Sequence, residues 1–208
     1  IFADAERFAM KRNVLDTSQS HLAYLESVWQ GVIMENSFNR GDFDYDCFRL
    51  AGRFPGTQGT NNVYIGSNYF NGWKDPAPAK AVPGRYNFKV VQLAPNDYRP
   101  VGAGQQYIRD VVFEDNVVTN GEILMEIGSA ENIIVRNNLF VSNNSGAANS
   151  ILIGSTNNFD YIPSQNIKFY GNTFVLNKGT FLKVKNQTAY MSSALDHSSI
   201  EVRDNIIY

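Results

Sequence analysis

The chain has little of what marks several common protein classes. Cys47 is its one cysteine, so no internal disulfide framework is available. No apolar run approaches the ~20 residues that a membrane-spanning helix requires. Lysine and arginine number 18 against 20 aspartates and glutamates, a formal charge of -2. That balance gives no basic footprint for nucleic acid or for an anionic membrane surface. Helix signals are almost missing, and no basic, apolar, small-residue leader opens the sequence. What remains is a hydrophobic fraction of 43% and an aromatic fraction of 13% in 208 residues, enough to bury a continuous core in one domain.

The sequence repeats. Aligned on Asn13, Asn36, Asn68, Asn116, Asn138, Asn172 and Asn205, it shows three apolar columns. Five residues before each asparagine stand Phe8, Gly31, Val63, Val111, Ile133, Ile167 and Ile200. Three before stand Met10, Ile33, Ile65, Phe113, Val135, Phe169 and Val202, and two after stand Leu15, Phe38, Phe70, Val118, Phe140, Phe174 and Ile207. Only Gly31 departs from the apolar rule. Mostly polar residues lie between the columns, which is the period-two alternation of half-buried strands. The asparagine itself suits a turn that needs left-handed backbone angles, and its amide can hydrogen-bond to copies above and below.

A second strand family fills the intervals: Ala23-Tyr24-Leu25, Phe48-Arg49-Leu50, Val91-Gln92-Leu93, Met125-Glu126-Ile127, Ile151-Leu152-Ile153 and Leu182-Lys183-Val184. The outer residues of each triplet should point inward and the middle one outward. Gly128 and Gly154 follow two triplets, as tight corners require. Key asparagines lie 23, 32, 48, 22, 34 and 33 residues apart, so a minimal coil takes 22 or 23 residues and longer coils carry insertions. This predicts an all-β, right-handed parallel β-helix (solenoid) of about seven coils, a rod on the order of 30 Å long at ~4.8 Å per coil. Residues 1–208 read as a single such domain. Both ends look cut, as in a fragment of a longer helix, because a bare stack end would expose apolar core and strand edges.

Runs such as Asn132-Ile-Ile-Val-Arg-Asn-Asn138-Leu-Phe140 and Asn166-Ile-Lys-Phe-Tyr-Gly-Asn172-Thr-Phe174 resemble the repeats of the pectate-lyase-like superfamily. The resemblance covers nearly the entire chain and is specific for architecture, while one fold hosts many functions. It implies an exported protein (secreted, periplasmic or at the cell surface) whose partner is a polysaccharide, with no nucleic acid and no membrane insertion. Nothing matches the polygalacturonase, alginate-epimerase or pectate-lyase catalytic signatures.

Insertions mark the functional side of a solenoid. Three belong to adjacent coils: Arg53–Asn62, Asn71 to about Phe88, and Pro95–Tyr107. They should wall one patch around an outward column of Tyr24, Arg49, Gln92 and Glu126, with Lys183 further along. Aromatic faces stack on sugars while fixed donors and acceptors orient hydroxyls and carboxylates, so Trp73, Tyr86 and Tyr98 are the loop aromatics expected to bind substrate with Tyr24 and Gln92. Asp42, Asp44 and Asp46 supply carboxylates at alternate positions that could hold calcium, although a solvated acidic turn explains them as well and the glycine and distal glutamate of an EF-hand are missing. The resemblance implies a lyase in which calcium bridges carboxylates to an acidic sugar and Arg49 or Lys89 abstracts a proton. Glu126 completes the candidate catalytic set, either as a partner of these cations or, with an aspartate of the Asp42 segment, as one of two hydrolase carboxylates. His21 and His197 read as surface or coil-corner residues, and no histidine aligns with Cys47 to support thiol chemistry. The alternative from another class is a non-catalytic glycan-binding β-helix (an adhesin, a phage-type tail or a surface scaffold). A monomer would favour the enzyme and a trimer the tail.

Overall fold

The computed structural model describes residues 2–17, 21–40, 46–52, 59–72, 89–94, 108–143, 149–154, 163–185 and 197–208. Among them are twenty strands, and every strand pairing is parallel. The chain is a parallel β-helix. No described helix is long and apolar enough to cross a membrane.

Each coil passes through three faces. Face one stacks the first part of Ala23–Met34 with Phe48–Ala51, Lys89–Leu93, Ile123–Ile127, Asn149–Ile153 and Thr180–Val184. Face two stacks Ala9–Lys11, the second part of Ala23–Met34, Thr60–Gly66, Ile108–Glu114, Ala130–Arg136, Gln165–Tyr170 and Ser198–Arg203. Face three is a separate seven-stranded sheet from Val14–Asp16 to Ile206–Ile207. The long strand Ala23–Met34 belongs to both of the first two faces and joins them into one thirteen-stranded sheet.

Two corners of the coil are set by backbone conformation. Positive φ values near 55° recur six residues before each ladder asparagine, at Arg7, Gln30, Asn62, Asp110, Asn132, Asn166 and Ser199. They recur again one residue before it, at Arg12, Glu35, Ser67, Asp115, Asn137, Gly171 and Asp204. This corrects the expected reason for the asparagines: the left-handed residue is their predecessor, and the asparagine itself is not left-handed. Its role is the ladder. Asn116, for example, donates its backbone N–H (2.8 Å) and its Nδ2 (3.1 Å) to Asn138 Oδ1 and a further Nδ2 bond to Ile65 O at 3.0 Å. Its own Oδ1 accepts the backbone N–H and Nδ2 of Asn68 at 2.9 and 3.0 Å. The rung repeats from Asn13 to Asn205, so polar groups turned into the stack are paired coil to coil. Gly154, at φ 103°, makes the expected left-handed corner, whereas in the coil of Gly128 the left-handed residue is Ser129.

The core is the three apolar columns plus the inward residues of face one, except in the last coil, where Val202 and Ile207 are exposed. Phe38 and Phe70 stack at 4.9 Å, and Phe140 and Phe174 at 4.8 Å. Between them the register position is held by the smaller Val118, and Phe113 brings the ring from face two, 5.7 Å from Phe70 and 6.5 Å from Phe140. Gly31, the apolar-column exception, is packed by Val28, whose Cγ1 lies 3.2 Å from where a Cβ would stand.

Candidate functional site

Strand register places the anticipated outward residues of face one in a single file. Tyr24 pairs with Arg49, Arg49 with Gln92, Gln92 with Glu126, Glu126 with Leu152, and Leu152 with Lys183. Leu152 interrupts the polar run, so Lys183 stands apart from it.

A second file lies three residues earlier. In coils two to four the two residues between the files, Cys47-Phe48, Val90-Val91 and Leu124-Met125, both enter the core. That shifts the alternation by one residue and returns Asp46 and Lys89 to the side of Arg49 and Gln92. His21 holds the equivalent place before Tyr24, and Ile123, paired with Lys89, ends the file.

The two files interlock. Lys89 Nζ lies 3.4 Å from Glu126 Oε1, with 6% and 0% of the two side chains exposed. Gln92 Nε2 donates to the same Oε1 at 2.6 Å. His21 Nδ1 lies 3.5 Å from Asp46 Oδ2. The His21 ring stacks on Tyr24 at 5.2 Å, and the Arg49 guanidinium lies 5.6 Å from the Tyr24 ring centre. Four coils therefore bring two cations, two carboxylates, an imidazole, a phenol and an amide together. His21, Tyr24 and Arg49 form the half-buried edge, while Asp46, Lys89, Gln92 and Glu126 are buried beneath them.

Burial sets the protonation of this group. It pushes the Asp46 carboxyl up to about 6, with Glu126 adding to the rise and Lys89 and Arg49 opposing it. It holds the His21 imidazole down to about 4, reinforced by Arg49 and Lys89. At neutral pH His21 is thus an uncharged proton acceptor, and Asp46 ionises within reach of ordinary pH. Such a group can pair with an anionic carboxylate, accept a proton and return one.

Of the residues anticipated as functional, Tyr24, Arg49, Lys89, Gln92, Glu126 and Asp46 fall in this cluster. Trp73, Tyr86, Tyr98, Asp42 and Asp44 lie outside the described residues, as do most positions of the three insertions. Asp46 is the one described member of the acidic trio. Its neighbours include the cations Arg49 and Lys89 and the carboxylate Glu126, and among the described residues no three His, Cys, Asp or Glu side chains gather as a metal-holding group.

His21, expected at the surface or at a coil corner, stands just before the strand Ala23–Met34 with 14% of its side chain exposed. The signal was present in the sequence: His21, Asp46 and Lys89 each stand two residues before the first member of a face-one triplet. Cys47 stays out of the group, because its thiol turns inward to Asn71 O at 3.4 Å. His197 serves as a tie, accepting from Ser164 N–H at Nδ1 (2.8 Å) with Nε2 3.1 Å from Lys185 O. A separate open cleft of about 520 Å³ runs over the asparagine corner between Arg12, Glu35, Tyr69 and Asp115. It carries one exposed ion pair, Arg12 with Glu35 at 2.6 Å, and its buried polar residues, Asn36 and Asn68, are committed to the amide ladder.

Compared with protein-family models, with curated proteins and with solved structures, the chain finds no match in any of the three.

Proposed function

We propose that this chain is an exported, lyase-like enzyme that acts on an acidic polysaccharide at the face-one cluster. The observation that carries the reading is the convergence of Arg49, Lys89, Asp46 and Glu126, from three successive coils, beside the half-buried edge of His21 and Tyr24. A polymer of uronic acids needs a cation for its carboxylate, a base for the proton beside that carboxylate, and an acid for the departing oxygen. Arg49, at the edge, meets the carboxylate. Lys89 is tied to Glu126 and serves as its counter-ion, so the acceptor is His21, held neutral by burial. Asp46 is the proton donor, because burial keeps its proton to about pH 6. In the step, the carbon beside the carboxylate loses its proton to His21. That electron pair forms the carbon–carbon double bond, the carbon–oxygen bond to the leaving sugar breaks, and the leaving oxygen takes the Asp46 proton. No step runs through calcium.

Incubation with uronate polymers, followed by the ultraviolet absorbance of unsaturated ends, tests the proposal. Silence on every uronate, with calcium and without, ends the lyase reading. A hydrolase is the second reading, favoured by the contrast between Asp46, whose carboxyl burial raises to about 6, and Glu126, paired with Lys89 and Gln92. It would release reducing ends with no ultraviolet signal.

A further inference from the structure

At the floor of the cluster, donors and acceptors do not balance. Gln92 is 2% exposed, and its Nε2 is committed to Glu126 Oε1. Its carbonyl Oε1 is buried with no hydrogen-bond partner among the described residues. Turning the amide over would set that oxygen against the Glu126 carboxylate, so Glu126 fixes the orientation. Lys89, on the same strand, approaches the same Glu126 oxygen at 3.4 Å with an ammonium that carries three N–H donors. An orphaned buried carbonyl is destabilising unless something donates to it. The amide that holds the spare acceptor and the ammonium that holds the spare donors meet at one carboxylate oxygen, and one kind of group answers both.

We propose that Lys89 and Gln92 form a seat for a hydroxyl oxygen, which accepts from the Lys89 ammonium and donates to the Gln92 carbonyl. A cation is the wrong occupant, because Lys89 already supplies the positive charge, and an anion cannot donate to Gln92. The hydroxyl comes from one of two sources, a sugar hydroxyl of the bound polymer or a buried water. The sugar source rests on the polysaccharide reading, and the water source does not.

The test is a crystal structure of the full chain at a resolution that shows ordered water, free and with an oligogalacturonate, together with calorimetric titration of the same oligosaccharide. The seat predicts an oxygen within hydrogen-bond distance of both Lys89 Nζ and Gln92 Oε1 in the free crystal. If the sugar is the occupant, its hydroxyl replaces that oxygen in the complex, and Gln92→Met weakens oligosaccharide binding by about tenfold. If water is the occupant, the oxygen persists in both crystals beside Lys89 Nζ and Gln92 Oε1, and no sugar oxygen takes its place. Either result supports the seat. Lys89 Nζ donating directly to Gln92 Oε1, or the pair lying bare in both crystals, overturns it. Absence of any titration heat with uronates, while the oxygen is still seen, removes the polysaccharide reading and leaves the seat standing on water.

Discussion

Lys89 and Glu126 stand on adjacent coils as a buried ion pair, 3.4 Å apart and almost without solvent contact. A pair so placed adds little net stability as a pair, but each partner depends on the other. Removing one partner of a buried pair strands a charge and costs about 3–5 kcal/mol. Lys89→Met should therefore lower the urea-unfolding free energy by that amount. Lys89→Met combined with Glu126→Gln should recover most of it, since both charges are then gone. Equal losses in the single and double variants would show that packing, rather than the uncompensated charge, sets the cost.

Asp46 and His21 give opposing pH dependences. The Asp46 carboxyl is raised by burial from its usual range to about 6, so it contributes stability that is present at low pH and lost as pH rises through about 6. The His21 imidazole is depressed by burial to about 4, so its contribution is present above its unfolded value and lost as pH falls towards 4. Between about 4 and 6 the two slopes, each about 1.4 kcal/mol per pH unit, cancel. Relative to the parent chain, Asp46→Asn should gain stability as pH rises across that window, and His21→Gln should lose it. Chemical denaturation at half-unit intervals reads the difference curves, and two flat curves would show that neither group titrates as its burial implies.

Most of the architecture is legible in the sequence, because every coil must bury the same three positions. Val111 with Ile133, Phe113 with Val135, and Val118 with Phe140 are paired in the structure as the asparagine alignment sets them. The Tyr24-Arg49-Gln92-Glu126 file follows from the same logic. His21 escaped it because period-two alternation fails where Cys47-Phe48 and Val90-Val91 both turn inward, a change of phase that composition does not announce. The left-handed corner escaped for a related reason. It is occupied by arginine, glutamate, serine, aspartate, asparagine and glycine in different coils, so the recurring letter is its neighbour.

The ring column offers a test of packing across faces. Val118 pairs with Phe70 and Phe140, and Phe113 fills the space that a phenylalanine at Val118 would take. Phe113→Ala should cost about 3–5 kcal/mol through the cavity it leaves. Val118→Phe alone should cost about 1–3 kcal/mol by overpacking. Phe113→Val with Val118→Phe moves the ring from one face to the other and should be more stable than the sum of its single changes predicts. Strict additivity in a double-mutant cycle would mean that the two sites do not share this volume.

The ladder predicts a gradient of cost along its length. Asn116 is almost fully buried. It accepts two bonds from Asn68, donates two to Asn138 and adds one to Ile65 O. Asn116→Ala therefore leaves the buried Asn68 N–H without its acceptor and removes the Nδ2 bonds to Asn138 and Ile65 O, a loss of about 3 kcal/mol. Asn13, at the first rung, is exposed; its backbone N–H and Nδ2 both donate to Asn36 Oδ1. After Asn13→Ala the backbone N–H bond can persist, no buried donor is orphaned, and the cost should stay below about 1 kcal/mol. Asn116→Asp is the sharper probe, because a carboxylate keeps the acceptor for Asn68 but removes both Nδ2 bonds and turns a charge into the stack. It should be at least as damaging as Asn116→Ala at pH 7 and less so at pH 4, where the protonated acid regains one donor. Equal effects at Asn13 and Asn116, read by thermal or urea unfolding, would show that the amide spine is an ornament of the turn and that the apolar columns alone hold the coils in register.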